Sequence, residues 1–298
     1  MLDRGSTFTN PEAIELLKTK FVCVATDIYY YEHNTDPVSR FYQKVVLQRE
    51  GTTLGKTTQG FYIFDPEGNL FYGWNSRDPN LLLKNLQSVA SSYKAKSAWV
   101  PDKHENNRFR QIPKDAVVVA CFSKILEAPA WKGEAHGHQK IFRESIGREH
   151  LWIKSSEARA LARGDLSEAL KRRFVIYHLN DFTRGEPDLW TLDDIEKAEI
   201  DLQPSKKGYI LKGEVSLRAK RADRWYVCSL YGEIESKGET LTKFDVVARG
   251  TFHGLGKFTK NGPPGDFTLA VAFELADPKD EASKAPPQGA QNGDTYFR

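Results

Sequence analysis

No stretch of the 298-residue chain comes near the roughly 20 consecutive apolar residues that a membrane-spanning helix needs, so no membrane partner is expected. Cysteine is scarce. Cys23, Cys121 and Cys228 are far apart, odd in number, and each sits inside a run that reads as a strand. Such a set offers no disulfide framework and points to buried free thiols. This usage fits a reducing compartment, and the opening MLDRGSTFTN has no apolar signal core, so the expected location is the cytoplasm unless a leader has been removed. An excess of one charge is also missing. Lys and Arg number 43 against 40 Asp and Glu, for a net charge of +3, which argues against nucleic acid and leaves a protein or small-molecule ligand as the expected partner.

What is present describes an ordinary globular protein, 40% apolar and 12% aromatic, with a length that fits two domains. The clearest local signal is residues 57–74, where two aromatic-rich runs flank Asp65-Pro66-Glu67-Gly68. Proline pre-sets a turn dihedral, the aspartate can bond the turn backbone, and the glycine tolerates positive φ, so a hairpin is predicted. Asn10-Pro11, Asp36-Pro37 and Asp78-Pro79 each pair a capping side chain with proline at the first helical position. They predict helices over about 11–20, 37–46 and 79–93. Between the first two, residues 21–28 (FVCVATDI) form an apolar run of strand length.

The order helix, strand, helix, hairpin, helix resembles the thioredoxin fold over residues 6–94. That resemblance implies a Cys-x-x-Cys where the first core strand meets the next helix, because a helix N-terminus stabilises a thiolate. Here the place holds Tyr29-Tyr30-Tyr31-Glu32-His33, and the family's cis-proline before the hairpin is replaced by Thr58-Gln59-Gly60. Thiol–disulfide exchange at that corner is therefore close to excluded, and Cys23 could not replace it without a different geometry. The vacated corner would bring together Tyr30, Tyr31, His33 and Gln59, aromatic faces with a few hydrogen-bonding groups, as in a ligand or peptide site. The alternative is a surface loop whose tyrosines pack on the hairpin.

Residues 95–114 are polar and carry two prolines, the composition of a linker. From 115 to 276 strands dominate: about 116–126, 149–153, 198–202, 209–218, 225–234, 240–250 and 267–275, with helices from 155 and over 167–179. The expected fold class is α+β, a thioredoxin-like α/β domain at 1–94 followed by an α+β domain at 115–276 with a mainly antiparallel sheet or partial barrel. Residues 277–298, almost without apolar side chains before Tyr296-Phe297, read as a mobile tail.

Chemistry-bearing residues cluster in the second region. Glu134, His136 and His138, with His150 further on, offer a His-x-His and a carboxylate, ligands suited to a divalent metal such as Zn, Cu or Fe; the alternative is a solvated Gly-containing loop. His178, Asp181, Arg184 and Glu186 fall within nine residues at a helix end and are candidates for acid–base work or an anion clamp. The alternative is a helix C-terminus with an Arg–Glu pair against Trp190. Gly250, Gly254 and Gly256 lack the following helix that a phosphate loop requires. Lys206, Lys207, Lys212, Arg218, Lys220, Arg221 and Arg224 read as a solvated basic face.

The strings at 148–153 (REHLWI), 184–187 (RGEP) and 244–248 (FDVVA) resemble those of a group of bacterial proteins with a thioredoxin-like N-terminal part. That resemblance implies that both regions form one unit and carries no activity. Two functions are expected to compete: a redox-inactive binding or scaffolding module, and a metal-binding protein or metal-dependent enzyme centred on the His-x-His.

Overall fold

Each acid- or amide-proline pair starts a helix. Asn10 Oδ1 accepts from the amides of Glu12 and Ala13 at 2.9 and 3.1 Å and opens α1 (Pro11–Lys20). A short α2 (Ile28–His33) follows, and Asp36 accepts from Val38 and Ser39, both at 3.1 Å, to open α3 (Pro37–Val46). Between them and the last helix lies a hairpin, β1 (Phe61–Phe64) and β2 (Leu70–Trp74). Its turn is closed by the Gly68 amide on the Asp65 carbonyl at 2.9 Å, with Gly68 at φ +81°. Asp78 accepts from Asn80 at 2.9 Å ahead of α4 (Pro79–Ser92). Ala13, Ile63, Leu82, Leu86 and Val89 bury the faces of α1, β1 and α4.

The structure is a computed structural model and describes residues 10–26, 28–56, 58–76, 78–94, 112–131, 138–256, 262–280, 283, 285–290 and 296–297. The chain divides into two units, Ser6–Asp102 and Lys103–Arg298 with Met1–Gly5. Most of the expected linker, 95–111, lies outside the described residues.

One expected strand does not form. Residues 21–26 are irregular, Ile28 belongs to α2, and Val22 and Val24 are 55% and 68% exposed. An apolar run becomes a buried strand only where another strand offers its backbone a ladder, and β1 and β2 pair with each other. Phe21 alone of the run's start packs on the core, and Cys23 is exposed rather than held in a strand.

In the second unit the alternation of the sequence sets the strands. β3 (Val117–Glu127), α5 (His138–Glu144), β4 (Gly147–Ile153), α6 (Ser155–Ala162) and α7 (Glu168–Arg173) lead into a π-helical turn, Phe174–His178. Then come β5 (Ile195–Pro204), β6 (Gly208–Arg218), β7 (Trp225–Lys237), β8 (Thr240–His253) and β9 (Asp266–Leu275). They form one seven-stranded antiparallel sheet in the order β4-β3-β9-β8-β7-β6-β5. With the two-stranded hairpin, the architecture is mixed α+β.

One face of the large sheet is covered. Val119, Cys121, Leu151, Val215, Leu230, Val246 and Phe273 pack against Leu161 of α6, Leu170 of α7 and Phe174. A void of about 10 Å³ between Leu151, Leu161, Leu170, Phe174 and Phe244 has room for little more than a water. The expected mobile tail is also partly packed: Tyr296 is fully buried against Trp152 and Ala290. Among the described residues no helix is long and apolar enough to cross a membrane.

Candidate functional site

The covered side holds the strongest concentration of titratable groups. Ser167 Oγ accepts from the Leu170 amide at 3.3 Å and starts α7; the π-helical turn that follows it carries His178 inward. His178 Nε2 lies 2.8 Å from the Tyr296 hydroxyl and Nδ1 3.9 Å from Cys121 Sγ. The Trp152 amide donates to that hydroxyl at 3.2 Å and the Cys121 thiol donates to the Val119 carbonyl at 3.8 Å, an arrangement consistent with the tyrosine proton directed at Nε2 and the imidazole proton on Nδ1, facing sulfur. Burial, then the charges of Arg173 and His150, pushes the His178 pKa from 6.5 down to about 3. Burial and Glu149 raise the Cys121 thiol well above its usual range. A thiolate–imidazolium nucleophile needs the opposite shifts and an open approach. Both residues are fully buried, so this is a neutral, closed chain of hydrogen bonds.

The other helix-end candidates separate. Asp181 and Arg184 form an ion pair with each side chain 1% exposed, Asp181 Oδ1 also takes the Thr183 amide at 2.8 Å, and Arg184 Nη2 donates to the Gly254 carbonyl at 3.1 Å. Glu186 is exposed. The arginine over Trp190 is not Arg184, which lies over Phe267 at 5.2 Å, but Arg224 at 3.9 Å from the ring centroid. Arg224 is 5% exposed and so leaves the solvated basic face to which its sequence neighbours assign it. Burial lowers its pKa, and an exposed arginine needs no aromatic lid.

Two further groups are silent in the sequence. Arg173 and Glu157 make a bidentate pair at 2.7 and 2.8 Å, and Tyr296 closes the chain on His178. The one available signal for Glu157 is its position three residues after Lys154, whose amide it accepts at 2.9 Å as a helix-start carboxylate does.

Of the metal candidates, Glu134 and His136 lie outside the described residues; His138 begins α5. His150 is fully buried in β4, and its amide donates to Glu149 Oε1 at 2.9 Å. Among the described residues no grouping of three or more His, Cys, Asp or Glu could hold a metal ion.

In the first unit the tyrosine-rich segment does meet the stretch before the hairpin, through side chains other than those nominated. Thr58 Oγ1 donates to Glu32, the Tyr62 hydroxyl donates to the Thr58 carbonyl at 2.6 Å, and Arg49 Nη1 donates to the Gln59 carbonyl at 3.1 Å. Tyr31 is buried, its ring 5.6 Å from Tyr42 and 5.4 Å from Tyr30, while His33 and the Gln59 side chain face outward.

The opposite face of the large sheet differs. Tyr231, Val247, Ala272 and Phe122 are consecutive cross-strand partners on β7, β8, β9 and β3, and form an apolar row. Tyr231 is 58% exposed and Val247 45%. They line a groove of about 420 Å³ whose other wall is Glu233, Asp245 and Glu274. Glu233 and Asp245 are direct cross-strand partners, a like-charge pairing that costs a sheet a few tenths of a kcal/mol or more, of order 0.2–1. Lys243 relieves part of it, at 2.5 Å from Glu233 and 3.6 Å from Asp245. The sequence signal is an apolar residue at the solvent parity of a strand, as in Val246-Val247.

Compared with family models, with curated proteins and with solved structures, the chain matches none.

Proposed function

We propose that the protein is a non-catalytic binding module that takes a polypeptide segment bearing both apolar and basic side chains across the open face of its seven-stranded sheet. The observation that carries this reading is the row Tyr231–Val247–Ala272–Phe122 beside Glu233, Asp245 and Glu274. Exposed apolar side chains in contiguous rows, rimmed by charge, suit a protein partner. Glu233 and Asp245 share Lys243, while Lys212 and Arg148 are the cross-strand partners of Tyr231 and Phe122 at the two ends of the row, so a partner's cations would fit on the side of Glu233, Asp245 and Glu274. On the covered face, the reversed pKa values of Cys121 and His178 support a protein that does no thiol chemistry. In the first unit the hairpin with its flanking helices keeps part of a thioredoxin-like order, from which the expected first core strand at residues 21–28 is missing among the described residues, and the single cysteine Cys23 makes that unit unable to carry out dithiol exchange.

A fluorescein-labelled peptide of alternating lysine and leucine, with an alternating glutamate–leucine peptide as control, tests this reading by fluorescence anisotropy. The intact protein is expected to prefer the lysine peptide. The pair Tyr231→Ser and Val247→Ser should weaken binding at least about tenfold, the equivalent of roughly 1.4 kcal/mol. Glu233→Gln with Asp245→Asn should remove most of the salt dependence. Equal binding of both peptides, or no loss in either variant, would sink the proposal.

A further inference from the structure

The end of β4 holds an arrangement independent of the open face. β4 is an edge strand, so its outward amides and carbonyls lack a ladder. At Trp152 both are taken up by side chains: its amide donates to the Tyr296 hydroxyl at 3.2 Å, and its carbonyl accepts from Arg173 Nη1 at 3.1 Å. The segment that supplies the tyrosine is itself held by its backbone. Arg173 Nε donates to the Tyr296 carbonyl at 2.9 Å, and Lys154 Nζ donates to the Phe297 carbonyl at 3.2 Å. The Arg173 guanidinium lies over both rings, 5.3 Å from the Tyr296 centroid and 4.7 Å from that of Phe297; Tyr177 packs on Tyr296 at 5.1 Å. Glu157 holds the guanidinium by a bidentate pair that does not involve the aromatic residues.

Main-chain hydrogen bonds from the host combined with pockets for particular side chains are the means by which peptide receptors recognise a segment. A side chain that merely fills a core has no need of two cations aimed at consecutive carbonyls of its backbone. We infer that the end of β4 is a peptide-binding site for a pair of adjacent aromatic residues, filled here by the chain's own Tyr296–Phe297 and exchangeable for the same motif on another polypeptide. When the pair leaves, the Trp152 amide, the His178 imidazole, Arg173 Nε and Lys154 Nζ each lose a partner at once, which favours refilling over collapse. In the intact chain the covalently linked occupant competes at a high effective concentration, so an outside peptide binds weakly until the site is emptied.

The test uses the full-length chain carrying Tyr296→Ala and Phe297→Ala, and a fluorescein-labelled peptide of the chain's own sequence, Gly-Asp-Thr-Tyr-Phe-Arg. The emptied variant should bind this peptide at least about tenfold more tightly than the intact chain does, and should not bind the Ala-Ala peptide. Adding Lys154→Ala should weaken that binding. A variant that keeps its circular dichroism and shows no peptide binding overturns the proposal. A second measurement, on the intact chain, covers the case in which the variant does not fold: amide exchange at Trp152 and at Val119 of β3. A local release predicts that Trp152 opens with a smaller free energy than Val119. If both exchange only through global unfolding, Tyr296 is core and the proposal fails.

Discussion

The two faces of the seven-stranded sheet are built from the same strands at alternate positions, and they differ in what closes them. On the covered face Tyr226, Leu230, Phe244 and Val246 meet α6 and α7, and the ionisable groups gathered there are matched internally: Arg173 with Glu157, His178 with Tyr296, Asp181 with Arg184. On the open face Tyr231 and Val247 meet solvent, and two carboxylates stand opposite each other with a shared lysine. Buried ionisable groups tolerate no mismatch, because an uncompensated charge in a low dielectric costs several kcal/mol. A surface tolerates one, because water screens it. The covered face therefore bears the marks of stability, and the mismatch on the open face is free to serve a partner.

The sharpest break in this contrast comes from acid. His178 is held neutral with a pKa lowered from 6.5 to about 3, so below pH 6.5 the unfolded chain binds the proton first. Its contribution is whole above about pH 6.5 and is lost as pH falls towards 3, up to roughly 4–5 kcal/mol at about 1.36 kcal/mol per unit. Denaturation midpoints measured from pH 7 to pH 4 should fall steeply, and His178→Phe should flatten the curve. Next in size, Arg173→Ala strands Glu157 and should cost about 3–5 kcal/mol by urea unfolding; a loss below 1 kcal/mol would mean that the pair is not buried in solution. Across the sheet, Tyr231→Ser should leave stability within about 0.5 kcal/mol while it weakens the lysine–leucine peptide, and a large loss of stability would place Tyr231 in a covered core.

A smaller effect belongs to His253. Its Nδ1 is 2.7 Å from Asp266 and Nε2 3.3 Å from Asp223, and its ring stacks on Trp225 at 5.6 Å. The hydrogen bond to Asp266 is the main cause of a raised pKa. Stability from this group is present below about pH 6.5, the unfolded value, and is lost as pH rises through the raised folded value. Comparison of the protein with His253→Gln between pH 6 and pH 8.5 should show a difference that shrinks with rising pH, opposite in direction to that of His178. A difference that grows would contradict the pairing.

Much of the fold was legible. Asn10, Asp36 and Asp78 cap their helices because a short polar side chain followed by proline satisfies free amides whatever surrounds it. Strands β3 and β6–β9 follow the period-two pattern to within a few residues, because a half-covered sheet writes its burial into alternation. The run at 21–28 misleads because apolarity is a property of the residues, and a ladder partner is a property of the assembly. Among the candidate residues, His178, Asp181 and Arg184 were found as a cluster, but the partner that matters for Arg184 is Asp181, and Glu186 faces solvent.

What the sequence determined by itself is local: caps, the Asp65–Gly68 turn, strand periodicity, and the absence of a paired thiol in the first unit. Which groups close on which was decided only by the tertiary structure. Tyr296 reaches His178 across 118 positions and Arg173 across 123, and Cys121 reaches His178 across 57. No window of sequence contains both partners of such a contact. Their charge states follow from the burial those contacts create, so a histidine that reads as a catalyst in the sequence becomes, once folded, a neutral link in a closed chain.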